Sequence, residues 1–145
     1  MEGGTTAWEQ VYATFGKQPK PISHHSGFIH KDSLYVYGGL IGGDSNADLY
    51  ALNLSTLKWT ILDCPTKPKG RDDHSACSSF DKEGLMFIFG GYVDGGKAND
   101  LWKFNFEANE WTQLDEGDYM KKDNHKCQDK PLRPCPRIGA GMIGY

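Results

Sequence analysis

A cassette of about 50 residues recurs along this chain, and nothing else in the sequence restricts the fold as strongly. Tryptophans head three similar segments, Trp8–Val11, Trp59–Leu62 and Trp111–Leu114, spaced by 51 and 52 residues. A glycine doublet closes an aromatic-rich run twice: Gly38–Gly39 follows Leu34–Tyr37, and Gly90–Gly91, 52 residues on, follows Leu85–Phe89. Runs bearing Asn and Asp come next, Asn46–Leu54 and Asn99–Phe106, with Asp48 and Asp100 again offset by 52 residues. His25–Ser26 and His74–Ser75 each open a segment ahead of a doublet, and Pro136–Ile143 reads as a third such opening without its histidine. Units of this size cannot bury an apolar face alone, so neighbouring units must stack.

Each period holds four stretches of strand length in a fixed order. In the third stretch, Tyr50, Leu52 and Leu54 alternate with Ala51 and Asn53, and Trp102, Phe104 and Phe106 alternate with Lys103 and Asn105. That period of two is the signature of a strand. The runs before the glycine doublets are apolar at nearly every position, which fits a central strand covered on both faces. Helical periodicity is absent. Short polar residues at His30–Ser33 and Asp81–Gly84 predict tight turns between the first and second strands.

Four strands per unit, with Gly-Gly and Trp in these places, resemble the kelch repeat. The resemblance covers about residues 22–114 as two consecutive units, and it implies four-stranded antiparallel blades of a β-propeller. The expected organisation of 1–145 is an all-β partial propeller: a lone outer strand at 8–11, blades at 22–62 and 74–114, a basic Pro-containing loop at 115–137, and the first strand of a further blade at 138–145. In kelch-like rings an N-terminal strand often completes the last blade, a role that suits the Trp8 segment. Ring closure takes roughly four or more blades, so the propeller is expected to be incomplete, with open strand edges that invite self-association. Tryptophans, doublets and aromatic runs are assigned to the core.

A propeller fold leaves function open. The resemblance implies a protein partner docked on the face made by the second-to-third-strand loops and the connections between blades. Those loops are Leu40–Asn46 and Tyr92–Ala98, which makes Asp44, Asn46, Tyr92, Asp94 and Lys97 candidate contacts; the same residue types are also ordinary turn formers. The three connections, Lys17–Pro21, Pro65–Arg71 and Lys130–Arg137, all mix Pro with Lys or Arg. Residues 119–137 carry six Lys or Arg against two Asp, in a chain of net charge −3. Propeller symmetry puts the connections on one face. Lys67, Lys69, Arg71, Arg133 and Arg137 therefore become candidate contacts for an acidic or phosphorylated segment, with charge acting mainly on association rate and orientation. The plainer reading is that Lys and Pro keep these loops solvated and stiff.

An enzyme is the competing class, since kelch-like propellers include copper oxidases resembling galactose oxidase. His25 and His74 occupy the same place in successive repeats, as structural residues do, which leaves His24 and His125 unmatched. His125, Cys127 and Cys135 offer three ligands on one insertion, too few and too loosely placed for a zinc module. With no phosphate loop, nucleophile elbow or paired carboxylates, no catalytic residue, metal or cofactor is expected. Spacing makes free thiols of Cys64, Cys77, Cys127 and Cys135. Mean hydropathy of −0.60 and the lack of a long apolar run argue against a membrane-spanning helix. The aromatics fall on repeat positions rather than forming a stacking platform, which disfavours nucleic acid. Met1–Thr6 has no basic and apolar leader pattern, so cytosol or nucleus is the expected compartment.

Overall fold

The computed structural model describes residues 7–13, 15–79, 84–121 and 134–143. Their regular structure is all β, in two principal sheets that do not close on themselves. The first blade contains β2 (Ser26–His30), β3 (Ser33–Tyr37), β6 (Leu49–Asn53) and β7 (Lys58–Leu62), each antiparallel to the next. The second contains β8 (Ser75–Ser78), β9 (Leu85–Val93), β10 (Gly96–Asn105) and β11 (Glu110–Asp115) in the same serial order. The short strands are β1 (Phe15–Gly16), the hairpin pair β4 (Leu40–Ile41) and β5 (Asp44–Ser45), and β12 (Tyr119–Lys121), which pairs with β10.

Turn chemistry repeats with the strands. Asn53 Oδ1 accepts from the backbone N of Ser55 and Thr56, and Asn105 Oδ1 does the same for Glu107 and Ala108. These side chains shape the turns between third and fourth strands. The turn expected at Asp81–Gly84 falls mostly outside the described residues.

Two expected strands are corrected. Residues 7–13 are irregular and Trp8 is wholly exposed; the edge of β7 is taken instead by Phe15–Gly16, which pairs with it in parallel. Ile138–Ile143 also holds no strand. A first strand forms by pairing with a second, and none lies beside this segment among the described residues. The segment rests on the second blade, with Gly139 N donating to Asp73 O at 2.9 Å and Ser75 Oγ donating to Ala140 O. The cysteine expectation changes as well. Cys64 and Cys77 are free thiols, but Cys135 is in a disulfide whose other half lies outside the described residues. Sequence spacing carries no information on which loop folds bring two sulfurs within bonding distance.

The core lies between the blades. Tyr37, Leu49 and Cys64 meet Met86, Ile88, Trp102, Phe104 and Trp111, all buried, with Phe28, Tyr35, Leu62 and Phe106 at the margin. Ring centroids of Tyr37 and Trp111, and of Phe104 and Trp111, stand 4.9 Å apart. Such tilted aromatic pairs add to the burial of apolar area. Of the three repeat tryptophans only Trp111 belongs to this core: Trp59 lies half-buried on the opposite side of the first sheet, against Tyr50.

The glycine doublets bring the connection between blades close to the sheet. Gly38 and Gly39 adopt φ of 69° and 86°, and Gly90 and Gly91 adopt 62° and 97°, in the left-handed region that side chains disfavour. A Cβ on Gly38 would stand 2.8 Å from Arg71 O and from His74 Cε1. Through that gap Gly39 N donates to Arg71 O at 2.7 Å, and Arg71 N donates to Asn46 O at 3.2 Å.

Arg71 thus has its backbone on the first blade, and its side chain is spent on the second. Its Nη1 donates to Asp100 Oδ1 and its Nη2 to Asp100 Oδ2, each at 2.8 Å, and Nη1 also reaches Gly90 O at 2.9 Å. Trp102 Nε1 donates to Asp100 Oδ2 at 2.7 Å. Neither Arg71 nor Asp100 has exposed surface. Beside this pair His74 packs edge-on to Tyr37 with ring centroids 5.3 Å apart, and its Nε2 lies 2.8 Å from Ser26 Oγ. Burial first, then the charges of Arg71 and His25, push the His74 imidazole down to about 4. Burial likewise pushes the Tyr37 phenol well above its ordinary range.

Three outcomes follow for stability. Gly38→Ala should cost about 2 kcal/mol or more in urea unfolding; Gly42→Ala, with no atom within 4 Å of its Cβ, should cost only its backbone conformation, about 1 kcal/mol. Arg71→Ala strands Asp100 without its cation and should cost about 3–5 kcal/mol, against at most about 1 for Lys69→Ala at the surface. Because His74 titrates near 4 in the folded chain and near 6.5 when unfolded, the unfolded chain takes up the proton first. Its contribution is constant above pH 6.5, and up to about 3 kcal/mol of stability is lost as pH falls from 6.5 to 4. Urea midpoints at pH 7 and pH 4.5 should separate more for the native chain than for His74→Gln.

Candidate interaction surface

The β4–β5 hairpin, the β9–β10 turn and the Pro-containing connection 65–71 converge at one rim of the two blades. Ser45 Oγ donates to Asp72 at 2.7 Å, and a Cβ on Gly70 would stand 2.6 Å from Ser45 O, so the connection lies directly against the hairpin. Lys67 Nζ reaches Asp48 at 3.1 Å, and Lys69 Nζ reaches Asp94 at 2.7 Å. The two lysine pairs join the connection to a loop of each blade.

Asp44, Asp94 and Lys97 are exposed on the hairpin tips, and Tyr92 is half-buried at the end of the second doublet. Asn46 is turned inward instead. Its Oδ1 accepts from Asp48 N at 3.3 Å, its Nδ2 donates to Gly38 O at 3.5 Å, and its backbone N and O bond to Gly39 and Arg71. Arg71 leaves the basic rim altogether: the charge counted toward an external partner is buried and neutralised by Asp100. Lys67 and Lys69 are on the rim, as is Arg137 on its own connection, where its Nε donates to Cys135 O at 2.9 Å. Arg133 lies outside the described residues, with most of the basic stretch 119–137.

Two features of the surface were missed by sequence reasoning. A groove of about 460 Å³ runs along the rim on the open side of the first blade, lined by Gln18, Lys20, Ile41, Asp44, Asp48 and Tyr50 among others. Burial, then the neighbouring Asp48 carboxylate, raises the Tyr50 phenol. Lys20 was legible as part of a Lys-Pro connection, but its arrival beside β6 depends on how residues 17–23 turn back. At the opposite rim Lys31 donates to Glu107, His30 stacks on Phe106 with centroids 4.6 Å apart, and a cavity of about 370 Å³ opens beside them. The Lys31 ammonium holds the Glu107 carboxyl below its ordinary range. This contact joins the first turn of one blade to the last turn of the next, a pairing that no short-range motif reports.

Among the described residues no group of three or more His, Cys, Asp and Glu is placed to hold a metal ion. His24 is exposed, 4.0 Å from Asp73; His125 and Cys127 lie outside the described residues. Among the described residues no helix is long and apolar enough to cross a membrane.

Comparison with known proteins identifies the repeat. The KLHDC2/KLHL20/DRC7 Kelch-repeats domain matches residues 2–128. Kelch domain-containing protein 10 of Homo sapiens is 31% identical over 113 residues, covering 76% of this chain and 25% of that protein. Kelch domain-containing protein 1 of Mus musculus is 33% identical over 113 residues, covering 76% of this chain and 27% of that protein. Kelch domain-containing protein 3 of Rattus norvegicus is 31% identical over 153 aligned residues, covering 94% of this chain and 35% of that protein. The chain spans 25% to 35% of the length of these relatives. Repeated four-stranded blades, doublets bent to admit the connection between blades, and this match over most of the sequence make the chain a member of the kelch-repeat family, a module of the protein-interaction type.

Proposed function

We propose that this chain docks an acidic or phosphorylated segment of a protein partner along the rim formed by the β4–β5 hairpin, the β9–β10 turn and the Lys-Pro connections, and that it acts as a binding module rather than a catalyst. The observation that carries this reading is the union of both blades' loops with one connection, through Lys67–Asp48, Lys69–Asp94 and Ser45–Asp72, into a continuous surface. Exposed pairs of this kind contribute about 0–1 kcal/mol each, so an incoming carboxylate or phosphate exchanges with Asp48 or Asp94 at little cost. Lys20 and Lys97 add cations that meet no carboxylate among the described residues. The proximity of hairpin backbone and lysines suits a mixed site in which N–H groups and ammonium groups share one anion.

The test is binding of a phosphopeptide array and of its unphosphorylated and poly-glutamate counterparts to the full chain, followed by titration of the best sequence. Lys67→Ala, Lys69→Ala and Lys97→Ala together should weaken capture by roughly tenfold or more and flatten its dependence on salt. Equal binding and an equal salt slope in the triple variant would remove this rim from consideration. Because Arg71 is internal, its replacement should act on stability and leave the salt slope of the folded fraction unchanged.

A further inference from the structure

Lys69 combines an exposed side chain with a fixed backbone. Its Nζ reaches Asp94 at 2.7 Å, and both of these side chains are exposed. Its carbonyl oxygen faces the junction between the blades, where Arg71 Nε donates to it at 3.2 Å and the Tyr37 hydroxyl at 3.5 Å. The residues on either side are held as well: Pro68 is fully buried, and a Cβ on Gly70 would stand 2.6 Å from Ser45 O. The same tie recurs on the next connection, where Arg137 Nε donates to Cys135 O at 2.9 Å, again two residues back.

The guanidinium that holds Lys69 O is itself fixed. Nη1 and Nη2 of Arg71 grip the two oxygens of Asp100 at 2.8 Å, Nη1 also donates to Gly90 O at 2.9 Å, and neither Arg71 nor Asp100 has exposed surface. Hydrogen bonds thus run from Asp100 and Gly90 on the second blade, through Arg71, to the Lys69 backbone. The planar fork matters, because one group serves Lys69 O with its Nε and Asp100 with its two terminal nitrogens. A lysine at position 71 would keep a charge for Asp100 but has no donor at the Nε position. Lys69 O would then keep only the longer bond from Tyr37 among these two. Docking a flexible residue costs the freedom of each torsion it must give up, so a backbone already fixed in the free protein lowers that cost.

Resting on the rim reading above, we propose that Arg71 is a positioning residue for partner capture: without touching the partner, its buried guanidinium fixes the Lys69 backbone and so presents the Lys69 ammonium to an incoming carboxylate or phosphate. Pre-organisation of this kind changes affinity without changing the number of cations at the contact, and therefore leaves the salt dependence alone. It operates only while residue 69 is a cation.

A labelled poly-glutamate peptide and the best phosphopeptide, titrated against the full chain at several salt concentrations, test this. Arg71→Lys should weaken binding by the folded fraction roughly threefold to tenfold at an unchanged salt slope, whereas Lys69→Ala should weaken it and flatten the slope. Tyr37→Phe removes only the hydroxyl on Lys69 O; it should act in the same direction by a smaller factor, and it decides the matter if Arg71→Lys does not fold. The effects should not add, so that in the Lys69→Ala chain Arg71→Lys changes affinity by less than about twofold. Equal losses in both backgrounds, or native affinity in both Arg71→Lys and Tyr37→Phe, would overturn the proposal. Hydrogen exchange separates it from the rim reading: amides of residues 69–71 should exchange faster in Tyr37→Phe while those of β6 and β10 keep their native rates. A native chain that captures neither peptide removes the rim reading and with it the role in capture; native exchange at 69–71 beside normal capture removes the positioning alone.

Discussion

A guanidinium and a carboxylate with no access to water lie at the junction of the two sheets, and the relative placement of the blades follows from them. Isolated burial of either charge would cost several kcal/mol. Here the bidentate geometry, the Gly90 carbonyl and the Trp102 indole supply the hydrogen bonds that make burial tolerable. The apolar contacts around the pair are larger in area but less particular about angle. Tyr37, Trp111 and Phe104 would fill a junction at several offsets; the two-oxygen, two-nitrogen match accepts few.

That pair could not exist with other residues at the doublets. The connection bearing Arg71 crosses the end of the sheet within hydrogen-bond distance of Gly39, and a side chain at Gly38 would occupy the path of its carbonyl. Positive φ at both glycines and close approach of the connection are thus one requirement seen twice. The same logic explains why His74 is held neutral: it lies against Gly38 and near Arg71, where a second cation would be both desolvated and repelled.

Most of the architecture was readable because it rests on patterns of short range. The two-residue alternation of Tyr50 to Leu54 and of Trp102 to Phe106, the Asn turns, and the recurrence of Gly-Gly and Trp report strands, turns and repeats directly. What went wrong depended on contacts between distant segments. Arg71 looked like a member of a basic loop because its partner Asp100 lies 29 residues on, and Asn46 looked exposed because its bonds run to a doublet. Trp8 shares the letters of Trp59 and Trp111, but a strand needs an edge, and that of β7 is occupied by Phe15 and Gly16. The segments of the rim were legible as loops, whereas their electrostatics depended on which lysine faced which aspartate.

The bonds from Gly139 to Asp73 and from Asp73 to His24 are made wholly by main-chain atoms. Spacing between the starts of successive blades is therefore indifferent to the side chains there, which helps explain how Gly, Asp and His can stand at three matching positions of one chain. Side chains at these positions can therefore change without altering the pitch from one blade to the next. Proline, which has no N–H to give, is the residue that cannot be admitted at Asp73 or Gly139.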